Sequence, residues 1–257
     1  MKKTIGSLFT LLIGLVLVTT AQARQNDVVQ AWEMTPKIGH NGAFQAALAA
    51  HAKWRQEHDD PWSWNLWEIT TGPRVGTIVA RSGGHTWADF DTYQTWEHAA
   101  AASRHFESTV APHLASVRSV ITIGDEENVY WPEDQAEARV AQVIGFDLHR
   151  GMMGDFVKAV NTYSKTIVEH NFDAHHYLAY NASGGEHDAI LVLPGSSMAD
   201  FSRPDKTVEQ LMIEVHGKEA FQKLEKAFNA TIKDSDSFFA VHRVDLSVVG
   251  ATVMAGN

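Results

Sequence analysis

The sequence has no cysteine, few basic residues and none of several catalytic motifs, and each of these features excludes a class of chemistry. None of the 257 residues is a cysteine, which excludes disulfide bonds, zinc–thiolate sites and cysteine nucleophiles. Lysine and arginine number 21 against 31 aspartates and glutamates, without the clustered basic residues on which nucleic-acid binding relies. HExxH and GxSxG motifs and phosphate-binding glycine loops are also missing. No reaction follows from motifs, and whether the protein is an enzyme stays open.

One long hydrophobic run is present, and it lies at the amino terminus. Lys2 and Lys3 precede the uncharged residues 4–23, which end in the small-residue pattern Ala21-Gln22-Ala23. This pattern predicts a signal peptide over residues 1–23 rather than a retained anchor. Its removal takes two lysines and changes the formal charge from −10 to −12. We therefore expect a periplasmic or secreted protein of a Gram-negative cell, without a membrane anchor after cleavage.

The rest of the chain contains an internal repeat. Gly42-Ala43-Phe44 corresponds to Gly154-Asp155-Phe156, and Gly72 corresponds to Gly184, at a constant offset of 112. Residues at this offset are called matched positions below. A fixed offset over thirty residues indicates two copies of one structural unit.

Each copy has the periodicity of strand, helix, strand, strand, helix, strand. This order predicts the α+β class, with two tandem ferredoxin-like β-α-β-β-α-β repeats packed sheet to sheet as an α+β barrel. The predicted segments are a signal peptide (1–23), a first repeat (24–124), an acidic linker (125–137), a second repeat (138–250) and a tail (251–257).

In element order and repeat length the chain resembles the dimeric α+β barrel superfamily in its tandem form. That group includes antibiotic-biosynthesis monooxygenase-like, stress-responsive barrel and NIPSNAP-like proteins. The resemblance implies the fold and leaves a homo-oligomer open, but no residue motif resolves one family. No catalytic residue is carried over, and the cofactor stays unknown.

The matched positions also suggest which strand faces look inwards. Large apolar residues are assigned to the helix-packed face, namely Trp32, Met34 and Leu66 with Ile144, Phe146 and Leu178. The opposite face would line the space between the sheets. There the sequence places five candidate ligand-binding residues: Glu33, Asn65, Trp67, His175 and Tyr177. The alternative interpretation is a set of polar groups that bond to one another and fill the barrel.

Three functions stay open at this stage. The first is binding of a small, partly aromatic molecule between the two sheets, and the second is a non-enzymatic interaction or assembly module. The third is a cofactor-independent monooxygenase-like enzyme or a haem-binding enzyme, since some barrel relatives bind haem through one histidine. The 14 histidines show no metal-ligand spacing, so no metal site is predicted. His98 and His105, seven residues apart, are expected on a solvated helix face.

Overall fold

The computed structural model of the protein describes residues 27–131 and 138–251. The predicted signal peptide lies outside the described residues, as do half of the predicted linker and nearly all of the predicted tail. The strands are β1 (Val28–Pro36), β2 (Asn65–Ile69), β3 (Ile78–His85), β4 (Leu114–Tyr130), β5 (Val140–Leu148), β6 (His176–Ser183), β7 (Ala189–Gly195) and β8 (Ile232–His242). The helices are α1 (Asn41–Glu57), α2 (Trp87–Gln94), α3 (Ala99–Thr109), α4 (Met153–Glu169), α5 (Val208–His216) and α6 (Lys218–Thr231). None of the described helices is long and apolar enough to cross a membrane.

The eight strands form one closed antiparallel barrel in the order β1-β3-β2-β8-β5-β7-β6-β4. Each repeat supplies four neighbouring strands, in the order β4-β1-β3-β2 in the first and β8-β5-β7-β6 in the second. The two sheets join edge to edge, since β2 pairs with β8 and β4 pairs with β6. The predicted α+β barrel of two tandem repeats is therefore confirmed.

The helices cover the outer face of the barrel, as the alternation of apolar residues predicts. In the first repeat, Met34 and Leu66 pack with Phe44 and Leu48 of α1. In the second repeat, Phe146 and Leu178 pack with Phe156 of α4. Burial of these side chains is the main favourable contribution to folding, at roughly 1.5–3 kcal/mol for each large apolar residue.

The end of the first repeat differs from the prediction. Strand β4 continues to Tyr130, so residues 129 and 130 of the predicted acidic linker pair within the sheet, after residues 125–128 have left the ladder. They do so because Val129 and Tyr130 pair with Tyr177 and His176 of β6. The second helix of this repeat is also interrupted, with α2 and α3 separated by residues 95–98.

Candidate functional site

The inner face of the barrel carries Glu33, one of the five residues predicted to bind a ligand. Its carboxylate forms ion pairs with Arg118 and, at 3.2 Å, with Arg74. Both arginines also reach Glu186 in the β6–β7 hairpin, Arg118 at 2.6 Å and Arg74 at 3.5 Å. Two carboxylates and two guanidinium groups therefore form a closed ring of ion pairs that links the two repeats.

Tyr177 lies on the inner face of β6 and is likewise engaged. Its hydroxyl donates to the Asp27 carboxylate at 2.9 Å, and the Arg81 guanidinium lies 5.3 Å from the centre of its ring. Burial raises the pKa of Tyr177 to about 12. The phenol is therefore held neutral, as a hydrogen-bond donor to Asp27.

The other three predicted residues are spread around the barrel. Trp67 stacks on His242 of β8, with ring centres 4.7 Å apart. Asn65 is exposed at the start of β2. His175 precedes β6, and its ring lies 4.9 Å from that of Tyr130 while Nδ1 lies 3.3 Å from Asp173.

Three of these five residues contact other side chains of the barrel, Glu33 at Arg118, Trp67 at His242 and Tyr177 at Asp27. Glu33 and Tyr177 bond to polar groups of the barrel itself, which is the arrangement that the alternative interpretation of a filled interior expects. A ligand role for the five residues stays a prediction.

A large cavity lies on the other side of the first sheet, between that sheet and helices α1, α2 and α3. Its volume is about 690 Å³, within the range of small-molecule sites. Six aromatic residues line it: Trp32, Trp62, Trp64, Phe90, Tyr93 and Phe106. Trp32 and Val117 on its wall are 40% and 46% exposed, so the cavity opens to solvent beside them.

Stacked rings build one wall of this cavity. The Trp62 ring is stacked with His85 at 3.8 Å and with Tyr93 of α2 at 4.1 Å between ring centres. Such contacts hold aromatic faces in fixed positions. Helix α2 begins at this place because Thr86 and Asp89 form a capping box before it.

A polar cluster of Arg55, Asp60 and His51 supports the same wall. Asp60 is 1% exposed and forms an ion pair with Arg55. The Asp60 carboxylate also accepts hydrogen bonds from the Trp64 indole at 3.2 Å and the Trp62 backbone at 2.9 Å. Arg55 thus balances the charge of the buried Asp60 carboxylate, and both carboxylate oxygens accept hydrogen bonds, as a buried charge requires.

His51 links this cluster to the surface. Arg55 Nε donates to His51 Nε2 at 2.9 Å, and His51 Nδ1 lies 2.9 Å from His105 Nδ1. An arginine only donates, so neutral His51 carries its proton on Nδ1 and donates it to His105. Burial, assisted by Arg55 and His105, lowers the pKa of His51 to about 3. His51 is therefore a neutral residue that cannot serve as a base near neutral pH.

His105 differs from its expected place on a solvated helix face. Its ring stacks on Trp54 of α1 at 5.2 Å, in addition to the contact with His51, so α1 and α3 are joined through it. Among the described residues, no three histidine, cysteine or carboxylate side chains are placed to hold a metal ion.

The sequence interpretation missed the cluster of Arg55, Asp60 and His51, although a signal was present. Their matched positions in the second repeat are Ile167, Phe172 and Tyr163. Two charged residues stand where the other copy has apolar ones, which marks the first repeat as the one with distinct chemistry. In the second repeat, the rings of Phe146, Phe156 and Phe228 pack together beneath the helices, with ring centres 5.3–6.1 Å apart.

The chain matches no protein-family model and no curated protein, but solved structures share its fold. A protein assigned as a monooxygenase from Lactobacillus acidophilus NCFM superposes with a TM-score of 0.53 at 9% identity, over 88% of this chain and 97% of its own. An anthrone oxidase-like protein gives 0.51 at 9% identity, over 84% and 91%.

A third similar structure is a chlorite dismutase variant from Candidatus Nitrospira defluvii. It gives a TM-score of 0.50 at 9% identity, over 85% of this chain and 92% of its own. Identities this low establish the fold and no activity. With its closed barrel of two ferredoxin-like repeats, this chain has the fold of a dimeric α+β barrel, formed here within one chain.

Proposed function

We propose that the protein binds an uncharged, partly aromatic small molecule in the cavity of the first repeat. The observation that carries this proposal is the cavity of about 690 Å³ with six aromatic residues on its wall. Flat apolar ligands bury their faces against such walls, and a few polar groups then fix their orientation. Besides Arg55 and His51, the polar side chains that line this cavity are those of Gln30, Tyr93, Gln94, Ser103 and Glu107.

The charges around the cavity disfavour an anionic ligand, since Glu107 also lines it. Arg55 is the only lysine or arginine among the described lining residues, and its charge is balanced by Asp60. His51 stays neutral because of its low pKa. A carboxylate or sulfonate in the cavity would lose its hydration without gaining an unpaired cation, which is unfavourable.

Haem does not fit the residues of this cavity. Haem iron in such a pocket needs a ligand atom, such as an imidazole nitrogen, that faces it. His51 is the only histidine among the described lining residues, and both of its ring nitrogens are already hydrogen-bonded. Of the other lining residues of a type that ligates haem iron, Tyr93 has its hydroxyl bonded to Arg55 and Asp60, and Met34 is packed in the core. The geometry therefore supports an organic ligand held by packing rather than by an iron bond.

The proposal is tested by binding of matched neutral and charged probes. Anthraquinone and anthraquinone-2-sulfonate share one three-ring frame, and quenching of tryptophan fluorescence reports on both because Trp62 and Trp64 line the cavity. We expect saturable binding of anthraquinone and at least ~10-fold weaker binding of the sulfonate, a difference of about 1.4 kcal/mol.

Two variants locate the ligand. Ala80 lines the cavity, and its counterpart in the ladder of the second repeat is Leu191, so Ala80→Leu fills space with a side chain that the fold accepts there. We expect Ala80→Leu to weaken anthraquinone binding ~10-fold or more, and Tyr177→Phe to leave it unchanged. If Tyr177→Phe abolishes binding and Ala80→Leu does not, the ligand lies between the sheets and the cavity is not its site.

A further inference from the structure

The side chain of Gln30 is a polar group on the sheet wall of the cavity in the first repeat. Gln30 belongs to β1, from which Trp32 and Met34 also line the cavity. Alternate residues of a strand point to the same face of the sheet, so these three side chains share the outer face of the barrel. Gln30 is 8% exposed, and its amide therefore lies almost wholly out of contact with solvent.

The nitrogen of the Gln30 amide is held by three acceptors of the sheet. Nε2 lies 2.9 Å from the Ser119 hydroxyl oxygen, 3.1 Å from the Ala31 carbonyl oxygen and 3.3 Å from the Val120 carbonyl oxygen. Two of these groups are backbone carbonyls, which only accept, so the nitrogen and not the oxygen of the amide faces them. Strands β1 and β4 therefore set the orientation of the amide.

The oxygen of the same amide has no protein donor. Every hydrogen bond that the Gln30 side chain makes with the described residues runs from Nε2, and none ends on Oε1. Oε1 is not one of the fully enclosed atoms without a partner, as the carbonyl oxygen of Asn128 is, so part of its surface is accessible. Because the side chain leaves the sheet on the cavity side, this accessible surface faces the cavity.

Two other polar groups of the cavity wall are already occupied. The Tyr93 hydroxyl accepts from Arg55 at 2.8 Å and donates to Asp60 at 3.3 Å, and both ring nitrogens of His51 are hydrogen-bonded. Oε1 of Gln30 is different, because it can accept from a ligand without losing a bond to the protein. An amide oxygen accepts from a hydroxyl or N–H group and offers no donor to an ether or carbonyl oxygen.

We propose that Gln30 selects ligands with a hydrogen-bond donor on the aromatic ring, such as a phenolic hydroxyl, by accepting this bond through Oε1. The inference rests on the proposed function, since it concerns the same cavity, and it adds which ligands bind best. The three bonds to Nε2 hold the acceptor in place before the ligand arrives, so its orientation costs little entropy on binding. A ligand without the donor leaves the enclosed oxygen unpaired, which is unfavourable.

The first test compares two ligands of nearly equal size on the wild-type protein. 2-Hydroxyanthracene and 2-methylanthracene differ by a hydroxyl against a methyl group, and quenching of tryptophan fluorescence measures both because Trp62 and Trp64 line the cavity. Transfer out of water alone favours the methyl compound. We expect 2-hydroxyanthracene to bind at least ~5-fold more tightly, because its hydrogen bond to Oε1 outweighs this difference.

A variant of Gln30 and its matched control locate the acceptor. Gln30→Leu removes the amide oxygen while keeping a side chain of similar size, and we expect it to reverse the order, so that 2-methylanthracene binds more tightly. Gln142 holds the matched position in the second repeat and does not line the cavity, so Gln142→Leu should keep the wild-type preference. A preference for the hydroxyl compound that survives Gln30→Leu overturns the role of Gln30.

The outcomes separate this inference from the proposed function. If neither compound binds saturably to the wild-type protein, the cavity is not a ligand site and both proposals fail. If both compounds bind and 2-methylanthracene binds at least as tightly, the cavity is a ligand site but the role of Gln30 is overturned. Gln30→Leu also removes three hydrogen bonds within the sheet, so the wild-type comparison decides the question if that variant does not fold.

Discussion

A few side-chain substitutions account for the cavity that distinguishes the first repeat from the second. At corresponding places in the strand ladder, on the outer face of the barrel, the first repeat has Ala80 where the second has Leu191. Alanine leaves space that leucine fills, and Arg55 and His51 line the space in place of Ile167 and Tyr163. A few substitutions of this kind are enough to open a cavity of about 690 Å³ in one copy of a duplicated unit.

The buried imidazole of His51 makes stability depend on pH. Burial lowers its pKa from 6.5 to about 3, so between these values the unfolded chain binds a proton that the folded chain excludes. Stability therefore falls as the pH falls from 6.5 towards 3, with a slope of up to ~1.4 kcal/mol per pH unit. We expect His51→Gln to reduce this slope.

Urea unfolding at pH 7, 6, 5 and 4.5 measures the His51 contribution as the difference between wild type and variant. The exposed His40, changed to glutamine, is the control for loss of a histidine. Parallel curves of stability against pH for wild type and His51→Gln would contradict the lowered pKa of His51, because they would mean that it binds its proton equally well in the folded and unfolded chains.

The faces of the strands were predictable from the sequence, whereas the break in β4 and the cavity were not. The alternation along β1, β2 and β5 placed Met34, Leu66 and Phe146 on the helix-packed face, because a strand has a period of two and the copies agree. The break in the β4 ladder at residues 125–128 was not predictable, since their sequence Asp-Glu-Glu-Asn has the composition of a solvated loop. The cavity was not predictable either, because it depends on the break between α2 and α3 and on small residues brought together by the fold.

One contact between elements, where the β6–β7 hairpin crosses β5, depends on a glycine. The His187 ring lies against Gly145, held by Asp147 at 3.0 Å and Asp236 at 3.4 Å. A Cβ atom at position 145 would overlap this ring. We expect Gly145→Ala to lower the free energy of unfolding by ~1–3 kcal/mol and His187→Ala to restore part of it, because the two changes share one contact.

Urea unfolding of the single and double variants tests the Gly145 contact. Gly154→Ala in α4 is the matched control, because nothing lies within 4 Å of the added Cβ, and alanine should stabilise the helix by up to ~1 kcal/mol. Additive effects of Gly145→Ala and His187→Ala would contradict the proposed overlap.

For the whole molecule, the repeat was the decisive sequence signal. The offset of 112 predicted two units, and two ferredoxin-like sheets can bury their inner faces together. The closed barrel confirms this arrangement. The ligand site was harder to predict, since the architecture offers both an inner space and the helix-covered face, and side-chain volume decides between them.

We also propose that the protein is exported and cleaved after Ala23, on the basis of Lys2, Lys3 and the Ala21-Gln22-Ala23 pattern. Expression in a Gram-negative host should give protein in the osmotic-shock fraction with a mass that lacks residues 1–23. Recovery with Met1 intact, or only with membranes, would contradict this prediction.

The ion pair between Arg74 and Glu186, 3.5 Å apart, has a consequence for the symmetry of the molecule. The two residues differ by 112 in number, so they are the same position in the two copies, and they meet on the approximate twofold axis of the barrel. In a dimer of identical subunits, a residue on the axis meets its own copy, and arginine would face arginine. Joining both copies in one chain lets opposite charges meet on the axis, where a symmetric ancestor would have had like charges or none.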